Sequence, residues 1–251
     1  MNWQGVLQEK IQIAGRPVRV CRPETPADRA MVFYHGWSSD AEKNMFRAAI
    51  LAAHGYLVLV PEAVHHGERG TLSYEDPIVV AGHMFAVIDQ NAEEFSDLLD
   101  WLRTQGIRRV AVTGHSMGGF TAAAVFSRYR EPDVCVNMNG SFSFQNAAEG
   151  MIEKAHPEQR ARIREALVPW QTDPQNRIES LAHRPILMIN GGADDVIDAH
   201  WHSDFYERLA EINGETVTAE RIVVDHLGHF VTTNMLEELL RFVDKHMGDT
   251  P

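Results

Sequence analysis

The sequence predicts an α/β fold: a mostly parallel central sheet with helices on both faces, opened by an antiparallel N-terminal hairpin and carrying a small helical cap. Three observations lead there. Short β-branched apolar runs alternate with longer stretches of helical periodicity. One such run, RRVAVTG at 108–114, enters the tight turn Gly114-His115-Ser116-Met117-Gly118, and a small-residue helical run leaves it. A chain of 251 residues, 44% of them apolar, can bury one large core, so a single domain is expected over 1–251.

Each element follows in order. Residues 5–21 alternate around Gly15-Arg16-Pro17 and predict the hairpin. AMVFY at 30–34 and LVLVPEA at 57–63 are continuous apolar runs, the mark of strands buried on both faces. Between them an amphipathic helix is expected over 40–53, with Asp40 as N-cap and His54-Gly55 closing it. Residues 65–77 (HHGERGTLSYEDP) predict a loop, and 82–104 a helix ending before Gly106. After the strand at 108–114 come a strand at 133–139 and a polar helical segment at 143–183 broken by Pro157, Pro169 and Pro174. A strand at 185–191, a helix at 199–213, a strand at 221–225 and a closing helix at 230–246 complete the alternation. The 143–183 segment falls between two strands at the carboxyl edge of the sheet, where an insertion forms a cap over a site.

Charge and composition exclude several classes of function. The net charge of −12 disfavours nucleic acid and anionic membrane surfaces as partners. The acidic residues are spread along the chain and read as a solvated surface. No basic segment followed by an apolar run opens MNWQGVLQEK, and no stretch approaches the about 18 apolar residues of a membrane span. A soluble cytoplasmic protein, monomeric or homodimeric, is expected. Cys21 and Cys135 both lie in strand-like runs and read as buried reduced thiols.

The turn at Ser116 carries the chemistry. Side chains beside so sharp a strand–turn–helix junction collide unless they are small, which accounts for Gly114 and Gly118. The strain lifts the Ser116 hydroxyl to the mouth of the sheet and sets the next amide, that of Met117, at a helix N-terminus. A serine hydroxyl is a poor nucleophile at neutral pH, so it needs a base, and the base needs an orienting acid. Asp194 follows the strand PILMING, and His229 follows the last strand in DHLGHFV. Asp195 competes with Asp194, and His226 with His229.

These residues resemble an α/β-hydrolase of the dienelactone-hydrolase and prolyl-oligopeptidase-like carboxylesterase group. The matching pieces are YHGW at 34–37, LVPEAVHHGERG at 59–70, GHSMGG at 114–119, RPILMINGGADDVI at 184–197 and LGHF at 227–230. The resemblance aligns Gly191-Gly192-Ala193-Asp194 with the family's Gly-x-x-Asp, which favours Asp194 as the acid; His229 is favoured as the base. It implies an oxyanion hole made by the amides of Met117 and of Trp37, the latter following the His-Gly turn His35-Gly36. Asp195 is then left to cap the next helix or face solvent, and His226 to a hydrogen-bonded structural role.

His35, His66, Phe142 and Trp170 are candidates for the substrate pocket, with Phe144 and Met151 beside them under the cap. Arg69 is expected to pair with Glu68 or Glu75, and His115 to pack under the turn. No metal or other cofactor is expected: adjacent His65 and His66 seldom chelate one ion, and His200 and His202 point apart on a helix. The expectation is a serine hydrolase acting on a small-molecule carboxylic ester. A serine, rather than an aspartate, at the turn argues against haloalkane dehalogenase and epoxide hydrolase chemistry. A thioesterase or peptidase of the same fold, and a non-catalytic binding protein of that fold, are the alternatives.

Overall fold

The computed structural model describes residues 5–214 and 218–248. Eight strands form one sheet in the order β1-β2-β4-β3-β5-β6-β7-β8. They are β1 (Val6–Ile13), β2 (Arg16–Pro23), β3 (Arg29–Tyr34), β4 (Leu57–Pro61), β5 (Arg109–His115), β6 (Val134–Met138), β7 (Ile186–Gly191) and β8 (Ala219–Val224). The β1–β2 and β2–β4 pairings are antiparallel and the rest parallel. This is the hairpin-plus-parallel-sheet architecture that the apolar runs predict.

The continuous apolar strands read as they do because both sheet faces are covered. Along β3, Ala30, Val32 and Tyr34 enter one core while Met31 and Phe33 enter the other. The second face is covered by α1 (Met45–Ala53) and α9 (Thr233–Met247). The first is covered by α2 (Pro77–Glu93), α3 (Phe95–Thr104), α4 (Met117–Arg128) and α8 (His200–Asn213). Between β6 and β7 lie α5 (Phe144–Lys154), α6 (Arg160–Ala166), a 3-10 turn at Pro174–Arg177 and α7 (Ile178–Leu181). Ile152 of α5 and Ile163 of α6 pack on Ala81 of α2.

Four boundaries differ from expectation. The helix expected at 82–104 is two helices, α2 and α3, meeting at Glu94, whose ψ of −12° departs from the helical value of about −42°. There Glu94 receives both guanidinium nitrogens of Arg69, at 2.7 and 2.8 Å. The first of these helices begins at Pro77 because Asp76 accepts the Ile78 amide at 2.9 Å and proline suits the first turn. Asp40 accepts the Lys43 amide at 2.8 Å and so caps the 3-10 turn at Glu42–Asn44 rather than α1. The last helix starts at Thr233, capped by Thr232, which leaves His229 and Phe230 in the loop before it. Both cysteines are buried and free. No described helix is long and apolar enough to cross a membrane.

Candidate active site

Ser116 occupies the junction of β5 and α4 with φ 57° and ψ −124°, a region that costs a non-glycine residue about 1–3 kcal/mol. The surrounding packing imposes it. A Cβ on Gly114 would overlap the Gly118 carbonyl, and one on Gly118 would overlap the carbonyl of Tyr34. The Ser116 amide donates to Met138 O at 3.0 Å, fixing the turn to the end of β6. The Ser116 hydroxyl makes no hydrogen bond among the described residues. Its neighbour is the loop after β3: a Cβ on Gly36 would lie 3.3 Å from that of Ser116.

Asp194 and His229, the expected acid and base, meet across the ends of β7 and β8. His229 Nδ1 lies 2.7 Å from Asp194 Oδ2, and the Asp194 side chain is fully buried. Asp194 Oδ1 accepts the amides of Val196 and Ile197, each at 2.9 Å. Burial raises the pKa of Asp194, but His229 and these two amides outweigh it and leave it below the usual carboxylate value. The His115 ring lies 4.8 Å from that of His229, below the turn. Burial and the neighbouring His229 lower its pKa to about 3, so it is neutral. His226 is exposed with φ 60° and has no side-chain hydrogen bond among the described residues, unlike the bonded structural role expected of it. Asp195 is exposed; Asp198 caps the next helix, accepting the His200 amide at 2.9 Å.

The backbone amides of Met117, next to the serine, and of Trp37, in the loop after β3, have no acceptor among the described residues. The first opens α4, where orphan N–H groups and the helix dipole favour negative charge. The Trp37 loop is braced from behind. The buried His35 donates from Nδ1 to Gly36 O at 2.9 Å and accepts the Ala63 amide at Nε2 at 3.1 Å. Glu62, also buried, sits 3.2 Å from His35 and accepts the Ala41 amide at 3.1 Å. The Trp37 indole donates to Tyr74 O at 3.1 Å, and its ring packs edge-on against Tyr74 and His66. His66 donates from Nδ1 to Val64 O at 2.8 Å, and burial lowers its pKa to about 4.

The other pocket candidates make contacts in the aromatic core. Phe142 is fully buried and stacks on Phe205 at 4.7 Å. Trp170 packs on Phe85 at 4.9 Å, and Phe144 joins that cluster. None of these contacts is with Ser116, Asp194 or His229. They are core contacts in and around the 144–181 segment, consistent with apolar residues at helical spacing that have no polar partner to orient. Arg69 pairs with Glu94, not Glu68 or Glu75, because the loop folds it under α2. Among the described residues no three metal-ligating side chains converge.

Sequence reasoning missed Glu62 and Tyr74. The signal for Glu62 was present, a carboxylate directly after the buried strand LVLVP. Tyr74 lies in an aperiodic loop, and nothing local marks it. At the rim, Phe230, directly after His229, is 69% exposed, and Val196, two residues after Asp194, 51%.

A family model described as alpha/beta hydrolase fold matches residues 29–175. Over 257 aligned residues the chain is 27% identical to esterase YjfP of Escherichia coli, with 95% of this chain and 98% of that one covered. Among solved structures, TT1662 of Thermus thermophilus superposes with a TM-score of 0.79 at 23% identity, covering 98% of this chain and 99% of that one. The esterase Pf2001 of Pyrococcus furiosus superposes at 0.71 with 19% identity, covering 99% and 97%.

Proposed function

The chain belongs to the alpha/beta hydrolase fold family, and from that premise we propose that it is a serine carboxylesterase acting on small acyl esters. One observation carries the reading. Asp194, held by two amides on one oxygen, pairs with His229 Nδ1 through the other, an arrangement that supports the imidazole as the base for Ser116. Similarity to an esterase over nearly the whole chain supports the same class of reaction.

With Nδ1–H directed at Asp194, the lone pair of His229 Nε2 takes the Ser116 proton as Oγ attacks the ester carbonyl. The carbonyl oxygen becomes an oxyanion that the Met117 and Trp37 amides receive. The same proton passes from His229 to the leaving alcohol, leaving an acyl-serine. Water, deprotonated by His229, attacks the acyl carbon, and collapse releases the acid and restores Ser116.

Ser116→Ala tests the assignment. It should retain the fold and lose p-nitrophenyl acetate hydrolysis; near wild-type turnover would remove Ser116 from the mechanism. A fluorophosphonate should label Ser116 in the folded wild type. No labelling there would favour a non-catalytic binding protein.

A further inference from the structure

The end of β6 carries none of the proposed catalytic side chains, yet three catalytic loops meet on it. Met138 O receives the Ser116 amide, as above. The next residue, Asn139, is fully buried with φ 48°, a left-handed conformation that asparagine tolerates better than most residues. Its amide N–H donates to Ile189 O of β7 at 2.8 Å. Its side chain reaches further: Oδ1 accepts the Gly191 amide at 2.9 Å, and Nδ2 donates to Phe230 O at 2.9 Å. Gly191 ends β7, three residues before Asp194, and Phe230 directly follows His229.

We propose that Asn139 is a positioning residue: its amide clasps the acid loop through the Gly191 N–H and the base loop through the Phe230 carbonyl, and so sets the Asp194–His229 geometry. The inference rests on the reading of Ser116, Asp194 and His229 as the catalytic triad.

Chemistry dictates the residue type. The site presents one donor and one acceptor on opposite sides, and only a carboxamide offers the complementary pair at this reach. A flipped amide would face donor to donor and acceptor to acceptor, so the two partners lock its orientation. An aspartate would keep the bond from Gly191 but set an anionic oxygen against the Phe230 carbonyl. The base loop, 225–232, has few other ties to the acid side. Ala193 donates to Leu227 O at 2.9 Å and Gly192 to Val224 O at 2.8 Å. Among the described residues, the only side-chain hydrogen bonds reaching that loop from other strand ends are His229–Asp194 and Asn139–Phe230. The second therefore holds the backbone from which the first is made. The two loops also touch, since a Cβ on Gly191 would overlap the carbonyls of Leu227 and Gly228. A shift of one thus displaces the other.

The test compares Asn139→Asp and Asn139→Gly with wild type and Ser116→Ala, with turnover counted per fluorophosphonate-titrated serine. Glycine keeps the left-handed backbone and removes both bonds; aspartate keeps the shape and reverses one bond. A positioning role predicts a kcat loss of about 100-fold for Asn139→Asp and a smaller loss for Asn139→Gly, with KM nearly unchanged. It also predicts loss, in Asn139→Asp, of the downfield proton resonance of the His229–Asp194 hydrogen bond. A kcat within about threefold of wild type in both variants would overturn the proposal, as would an effect confined to KM. So would loss of cooperative unfolding in both, which would make the residue structural only. If Ser116→Ala remains active, the triad reading itself fails, whatever the Asn139 variants do.

Discussion

Asp194 uses its two oxygens differently, and that division makes a sharp prediction. Oδ1 accepts two amides, so whatever stands there must be an acceptor. Oδ2 faces His229 Nδ1. In Asp194→Asn the carbonyl oxygen is held at the amides, and the NH2 group is forced toward the imidazole. His229 must then accept at Nδ1 and carry its proton on Nε2, the nitrogen that should receive the serine proton. The fold is preserved while kcat falls by about 10⁴-fold, as for the wrong tautomer in other triads. The check is kcat on p-nitrophenyl acetate alongside a melting curve; an enzyme within about tenfold of wild type would show that His229 does not depend on Asp194 for its tautomer. At this scale the sequence was informative where a side chain sits in a motif. Ser116, Asp194 and His229 could be singled out by the turn motif, by their order along the chain and by the family resemblance. Asn139 could not: Asn139-Gly140 in VNMNG reads as a turn and no more, and its partners stand 52 and 91 residues away.

Among the elements, the 144–181 segment hangs on two buried carboxylates. Asp173 accepts the first two amides of α5, from Phe144 at 3.1 Å and Gln145 at 2.9 Å. It also accepts the Gln175 amide at 3.2 Å, which caps the following 3-10 turn. Asp89 of α2 accepts the Gln171 amide at 2.8 Å and pairs with Arg128 of α4. Asp173→Ala would strand three amides at once. Cap loss and unsatisfied buried donors together should cost about 2–4 kcal/mol. Asp173→Asn, which keeps an acceptor, should lose less. Urea midpoints measure the loss, and limited proteolysis should find its new cuts within 144–181; unchanged midpoints would show that Asp173 is not an anchor and that Asp89 and the apolar contacts hold the segment. The helical, proline-broken character of 143–183 was legible, but its anchors were not, since Asp173 and Asp89 look like surface acids in the sequence. The opposite error occurred at 82–104, where apolar periodicity runs through Glu94 without a break. The break there coincides with the pairing of Glu94 to Arg69, from the loop after β4, and to Arg16, at the start of β2. The central strands β3 to β7 were the easiest elements to place, because burial on both faces leaves nearly every position apolar.

For the molecule as a whole, the buried histidines set a pH limit. His66 and His202 are driven by burial to pKa values of about 4, and His115 to about 3, so all three are neutral in the fold. In the unfolded chain each titrates near 6.5. Between pH 6.5 and about 4 the unfolded state therefore binds more protons, and stability falls as the pH falls. Asp89 and Asp173 act the other way. Burial raises their pKa values, so the fold takes up their protons earlier and part of the loss is offset at the acid end of that window. His202 gives the cleanest test, because it lies outside the proposed catalytic groups and is fully buried. Its Nε2–H donates to Gly140 O, next to Asn139, and its Nδ1 has no partner among the described residues. At pH 5 its neutral state should account for about 1–2 kcal/mol of the stability lost since pH 7. His202→Asn, which cannot titrate, should be less stable at pH 7 but lose less on going to pH 5, the slope dropping by about one proton. Urea unfolding at the two pH values supplies both numbers. Parallel profiles for wild type and variant would mean that His202 takes up its proton over the same pH range in the fold as in the unfolded chain, and that the acid limit comes from His66, His115 and the carboxylates.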